Sequence, residues 1–90
     1  MKFEWDANKE KANIAKHGVD FSQASKAFDD PARVIAVDTR HSAGELRLFC
    51  YGKVNEVVLT VRFTARRGVA RIIGAGNWRK GRKIYEQENL

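Results

Sequence analysis

Nine cations and two aromatic side chains carry most of the chemistry this sequence can do. Arg47, Arg62 and Arg71 fall in strand-like stretches, Arg66 and Arg67 in the Arg-Arg-Gly turn between two of them, and Arg79, Lys80, Arg82 and Lys83 surround Trp78 and precede Tyr85. Arginine forks grip phosphate oxygens bidentately. Aromatic rings stack unpaired bases at about 1 to 3 kcal/mol each, so the combination suits single-stranded RNA better than duplex DNA. Trp78 and Tyr85 also have the spacing of an apolar stripe that docks a helix onto a core, and the sequence leaves that alternative open. Metal chemistry is disfavoured, because one Cys and two well-separated His form no ligand cluster. Gly74 and Gly76 lack the rest of either nucleotide-binding glycine motif. Nothing places a Ser nucleophile beside a His base.

The charge is one-sided. Residues 46–90 hold 10 Lys and Arg against 3 Asp and Glu, a net +7, whereas residues 1–45 hold 7 against 8, a net −1. A one-sided positive field steers polyanions, so a nucleic acid or an acidic protein is the expected partner. Ninety residues with 43% hydrophobic and 31% charged content describe one folded domain, residues 1–90. No apolar run approaches the roughly 20 residues that span a bilayer, and Met1 to Lys16 lacks the apolar centre of a signal peptide, so a cytoplasmic protein without membrane contact is expected. The single cysteine, Cys50, sits in an apolar strand pattern and reads as a buried, inert thiol.

The elements that must position these groups follow from caps and periodicity. Lys2 to Trp5 alternates and reads as a short edge strand or an anchoring arm. Asp6 as N-cap and Gly18 as left-handed terminus bound a helix over Ala7 to Lys16, with His17 at its C-terminal end as a dipole-favoured cation. Asp20 and Gln23 open a second helix over Phe21 to Phe28, which Pro31 brings to a stop. Val34–Val37, Leu46–Gly52, Val57–Phe63 and Val69–Ala75 read as strands of an antiparallel meander. Val57, Leu59, Val61 and Phe63 should face the helices together with Leu46, Leu48 and Cys50, leaving Arg47, Tyr51 and Arg62 on an open face. The last helix is expected from Asn77 as N-cap to about Glu88. Its charges run against the dipole, with Arg79 and Lys80 in the first turn and Glu86 and Glu88 near the end, an arrangement that an anion at the N-terminus would relieve.

The segments FEWDANKEKANIAKHGVDF, AFDDP, DTRHSAGELR and RIIGAG followed by YE, in this order and spacing, resemble the BrnT family of type II toxin-antitoxin toxins. The resemblance covers nearly the whole chain. It implies a compact RelE-like fold, which agrees with the α+β arrangement read from the residues: two N-terminal helices, a four-stranded antiparallel sheet that Lys2 to Trp5 can extend at an edge, and a C-terminal helix. It also implies a ribonuclease toxin that needs no cofactor, acts on RNA, including ribosome-bound mRNA, and is neutralised by a BrnA-like antitoxin that also represses the operon, DNA being met only through that antitoxin. Carried over by position, the catalytic pattern falls on His41, Glu45, Arg47, Arg66, Arg71 and Tyr85; the remaining cations and indole read from residue type above, Arg62, Arg67, Trp78, Arg79, Lys80, Arg82 and Lys83, are then expected to bind RNA. In that scheme the ribose 2′-OH attacks the adjacent phosphate, arginines stabilise its oxygens, and His41 or Glu45 moves the proton. Glu45 and Arg47 also fit a structural cross-strand pair. Where such toxins commonly read Ser-Ala-Arg after the last strand, this chain has Gly74, Ala75 and Gly76, with Arg79 as the candidate replacement. A catalytically inactive RNA-binding or antitoxin-binding module of the same fold is the alternative.

Overall fold

The computed structural model describes residues 1–90. In chain order they form β1 (Lys2–Trp5), α1 (Ala7–His17), α2 (Phe21–Ser25) tightening into one 3-10 turn (Lys26–Asp29), β2 (Val34–Val37), β3 (Arg47–Val54), β4 (Val57–Arg66), β5 (Val69–Gly76) and α3 (Arg79–Glu88). One sheet in the order β1-β5-β4-β3-β2 holds all the strands. The meander from β2 to β5 is antiparallel as expected. The expected four-stranded antiparallel sheet nonetheless becomes a five-stranded mixed one, because β1 pairs with β5 in parallel, from Lys2 opposite Val69 to Trp5 opposite Ile72. A parallel partner needs a long crossover, and everything between β1 and β5 supplies it. Phe3 and Trp5 hold the arm in place by packing on Phe28 and Phe21, at ring distances of 5.0 and 6.0 Å.

The helix boundaries follow the capping chemistry. Asp6 accepts from the Lys9 amide at 3.3 Å, Asp20 accepts from the Gln23 amide at 2.7 Å, and Gly18 ends α1 at φ 70°. The second helix leaves α-geometry at Ser25, short of the expected Phe28, as the chain tightens ahead of Pro31. Asn13, the one buried residue of α1, clamps the sheet edge that β1 does not reach. Its carboxamide accepts from the Ala75 amide at 3.1 Å and donates to the carbonyls of Ala75 and Val19 at 2.9 Å each.

One sheet face packs Leu59, Val61, Phe63, Ile72 and Cys50 against Phe21, Ala24 and Ala27. Burial pushes the Cys50 thiol up to about 12, which fits an inert core cysteine. Leu46, expected in this core, precedes β3 and is exposed, as is Val57 at the hairpin end. The opposite face is only half open, which corrects the expectation for Tyr51: α3 lies across it and buries Tyr51, Val58 and Tyr85 together. The contact is close enough that a Cβ at Gly81 would overlap Thr60 Oγ1 and approach Tyr51 Cδ1 to 3.1 Å. Gly81→Ala should therefore destabilise the fold by about 1 to 3 kcal/mol, although alanine is favoured by about 1 kcal/mol in an ordinary helix interior. Urea unfolding measures the sign directly. No helix is long and apolar enough to cross a membrane.

Candidate active site

Strand alternation turns Arg62, Thr64 and Arg66 of β4 toward the face opposite the core that α2 and the 3-10 turn cover. The register then assembles a cationic surface around them. Phe49 lies opposite Arg62, Arg47 opposite Thr64 on one side and Arg71 opposite Thr64 on the other. Beyond Arg71 stands Glu4 of β1, a loose ion pair at 3.9 Å between side chains about half exposed, worth little energetically. Arg67 occupies the tip of the β4–β5 turn with φ 53°, followed by Gly68 at 77°, and extends the same strip.

The connection from β2 to β3 delivers a histidine–carboxylate pair to the surface. The Asp38 amide donates to the Arg47 carbonyl at 2.8 Å, and Ser42 Oγ bridges the loop base by donating to the Asp38 carbonyl at 2.6 Å and accepting from the Arg47 amide at 3.0 Å. This closure fixes His41, whose Nδ1 lies 3.0 and 3.2 Å from the two Asp38 carboxylate oxygens. Asp38 is buried while His41 is open to solvent. Burial pushes the Asp38 carboxyl up, but the His41 hydrogen bond and charge, the Arg40 amide and the Arg62 charge outweigh it, so its pKa falls below the ordinary carboxylate value. With Asp38 engaging Nδ1, the other ring nitrogen, Nε2, is the one left to exchange a proton with a substrate.

Glu45 does not pair with Arg47. It lines a separate depression of about 300 Å³ with Arg66, Arg71, Thr64 and Glu4. Trp78 lies half-buried at the other margin, packed edge-to-face with His17 at 5.0 Å between ring centres. A Cβ at Gly76 would overlap this indole. Gly76, where the resemblance would lead one to expect an arginine, is thus the residue that makes room for Trp78, and Arg79, the candidate replacement, lies with Lys80, Lys83 and Gln87 along α3. Arg82 is exposed on the same helix. The N-cap is Trp78 rather than Asn77, and no side chain caps the helix.

Two contributions from the acidic half of the chain were missed. Lys9 and Lys16 of α1 join Arg62, His17 and Trp78 around a shallow depression of about 300 Å³. Their spacing with Asn13 on one helical stripe was the available signal. The second is Asp38, signalled by its position three residues before His41.

Tyr85 stands apart from the other catalytic candidates. It is buried under α3 and donates to Asp30 Oδ2 at 2.6 Å; that bond, burial and the Asp30 charge push its pKa up to about 12. The same carboxylate accepts from the Lys53 amide at 2.7 Å and the Ala32 amide at 2.8 Å, so Asp30 fastens α3 to the sheet and the 3-10 turn. Tyr85→Phe should cost about 1.5 to 3 kcal/mol, a hydrogen bond to a charged acceptor. RNA cleavage by the folded variant should stay at the parent rate. A cleavage rate well below the parent's, in protein shown by circular dichroism to be folded, would return Tyr85 to the chemistry.

No curated protein matches the chain. The family model described as "Ribonuclease toxin, BrnT, of type II toxin-antitoxin system" matches residues 5–81, from the end of β1 into the first turn of α3, and so takes in the cationic face, the His41–Asp38 loop and Trp78. By that match the chain belongs to the BrnT family of ribonuclease toxins of type II toxin-antitoxin systems.

Proposed function

We propose that this protein is a metal-independent endoribonuclease that cleaves mRNA in the cytoplasm, arrests translation and growth, and is held inactive by a BrnA-like antitoxin. The observation that carries the reading is the His41–Asp38 pair beside arginines of a solvent-open sheet face. His41 Nε2 takes the proton from a ribose 2′-OH, the 2′ oxygen bonds to the adjacent phosphorus, and the bond from phosphorus to the 5′ oxygen breaks. The imidazolium returns the proton to that departing oxygen, leaving a 2′,3′-cyclic phosphate and a 5′-hydroxyl. Arg62 and Arg47 supply preorganised charge to the phosphoryl oxygens, and Arg66, Arg71 and Arg67 track the strand beyond. Helix α2 on one face of the sheet, α3 on the other and α1 along the β5 edge support a RelE-like assignment.

Incubating the purified protein with end-labelled single-stranded RNA in excess chelator tests this reading. Fragments ending in cyclic phosphate are expected, and RNA left intact at high protein concentration would sink it. Gly76 favours one other reading, a catalytically idle RNA-binding or antitoxin-binding module, because it removes an arginine from the face; intact RNA retained on the protein is its signature. The antitoxin is expected to cover Arg62 to Tyr85 with an acidic or amphipathic segment, since arginine and aromatic side chains are the usual interface anchors.

A further inference from the structure

We propose that the cavity beneath the N-terminus of α3 is a pocket for one unpaired nucleobase, with the phosphate of that nucleotide held at the helix end. The inference rests on the ribonuclease reading and gives it a specific subsite. Phe49, Tyr51, Thr60, Trp78, Lys80 and Gly81 enclose about 330 Å³. That space lies in the range of small-molecule sites. Phe49 and Tyr51 form one aromatic wall, stacked at 5.7 Å with their planes 28° apart. Trp78 forms the other, and its indole is held in place by His17 on one side and the bare backbone of Gly76 on the other. Aromatic walls of this kind accept any base by its π-face.

Two independent features select a nucleotide over an apolar side chain. The first is the helix end itself. No side chain caps α3, and its first backbone hydrogen bond runs from the Arg82 amide to the Trp78 carbonyl, leaving the amides of Arg79, Lys80 and Gly81 without partners. Two of these residues carry positive side chains in the turn where the dipole is already positive, an arrangement that an anion reverses from unfavourable to favourable. The second feature is Thr60 in the cavity wall. It is 5% exposed, and its Oγ1 has no hydrogen-bond partner. A valine would fill the same volume without an orphan hydroxyl, so the threonine is explained by a polar edge arriving from the cavity.

The test is a titration of the ¹⁵N-labelled full chain with 5′-AMP, 5′-UMP and ribose 5-phosphate, followed through the Trp78 indole and the Lys80 and Gly81 amides. Both nucleotides should shift these signals, and ribose 5-phosphate should need at least about tenfold more ligand, since it offers no ring to stack. Thr60→Val should keep or raise stability and weaken nucleotide binding about tenfold, the loss of one buried hydrogen bond. Phe49→Ala should weaken it at least as much. Equal affinity for ribose 5-phosphate and the nucleotides would overturn the base pocket, as would Thr60→Val binding at parent affinity, or shifts confined to Arg66 and Arg71. Cleavage of RNA by the same preparations separates the two claims. A protein that cleaves with a silent pocket refutes this inference alone, and one that fills the pocket without cleaving refutes only the ribonuclease reading.

Discussion

His41→Ala is expected to lower the rate of RNA cleavage by about 10² to 10⁴, the usual contribution of a positioned general acid-base group. The size follows from where the loop puts the ring. Ser42 closes the loop base, Asp38 engages Nδ1, and the ring, about half exposed, has no hydrogen-bond partner at its other nitrogen. Asp38→Asn should also lower the rate, because an amide oxygen lacks the charge that stabilises the imidazolium. Acting through one imidazole, the two changes should not add, and the double variant is expected to fall no further than His41→Ala alone. Single-turnover cleavage with saturating protein separates this loss from any loss of RNA affinity. Should His41→Ala cleave at the parent rate, the base lies elsewhere, and Glu45 beside Arg66 and Arg71 becomes the group to replace.

Short-range chemistry made much of this fold legible. Asp6, Asp20 and Gly18 cap the helices they were expected to cap, because those contacts lie within three or four residues. The alternation of Leu59, Val61 and Phe63 against Arg62 and Thr64 survives in β4, since a half-covered strand leaves little freedom of register. Long-range pairings left no such mark. Neither the parallel docking of β1 on β5 nor the clamp from Asn13 to Ala75 has a local pattern, the two clamp partners lying 62 positions apart. Trp78 and Tyr85 share a helix and a polar-aromatic character, yet Tyr85 is held by Asp30 under α3 while Trp78 projects beside His17. Only the second is left partly exposed beside the cationic surface. Dividing the chain by net charge also hid Lys9 and Lys16, whose acidic neighbours cancel them in a sum but not in space.

Arg62→Ala should slow cleavage by about 10² to 10³, the cost of removing one preorganised donor to a transition-state oxyanion. This side chain has the most connected position of the cationic set. It is half-buried, lies opposite Phe49 across the strand pair, shares a depression with Lys9, Lys16 and Trp78, and places its charge near enough to Asp38 to lower that carboxyl's pKa. Arg62→Lys should recover only part of the rate, because an ammonium keeps the charge and loses the planar fork. The variant also carries a titration signature that a merely structural arginine would not. A carboxyl whose folded pKa is depressed stabilises the fold above its unfolded pKa, and that contribution disappears as pH falls through the folded value. Removing the Arg62 charge should move the Asp38 titration upward, so the stability difference between parent and Arg62→Ala should shrink as the solution is made acidic. Carbon-detected NMR of the Asp38 carboxyl reads the first effect and denaturant unfolding across the acidic range reads the second. A folded Arg62→Ala protein that cleaves at the parent rate while Asp38 titrates higher would show that this cation tunes the dyad but does not touch the phosphate, which would leave Arg47 as the nearer donor.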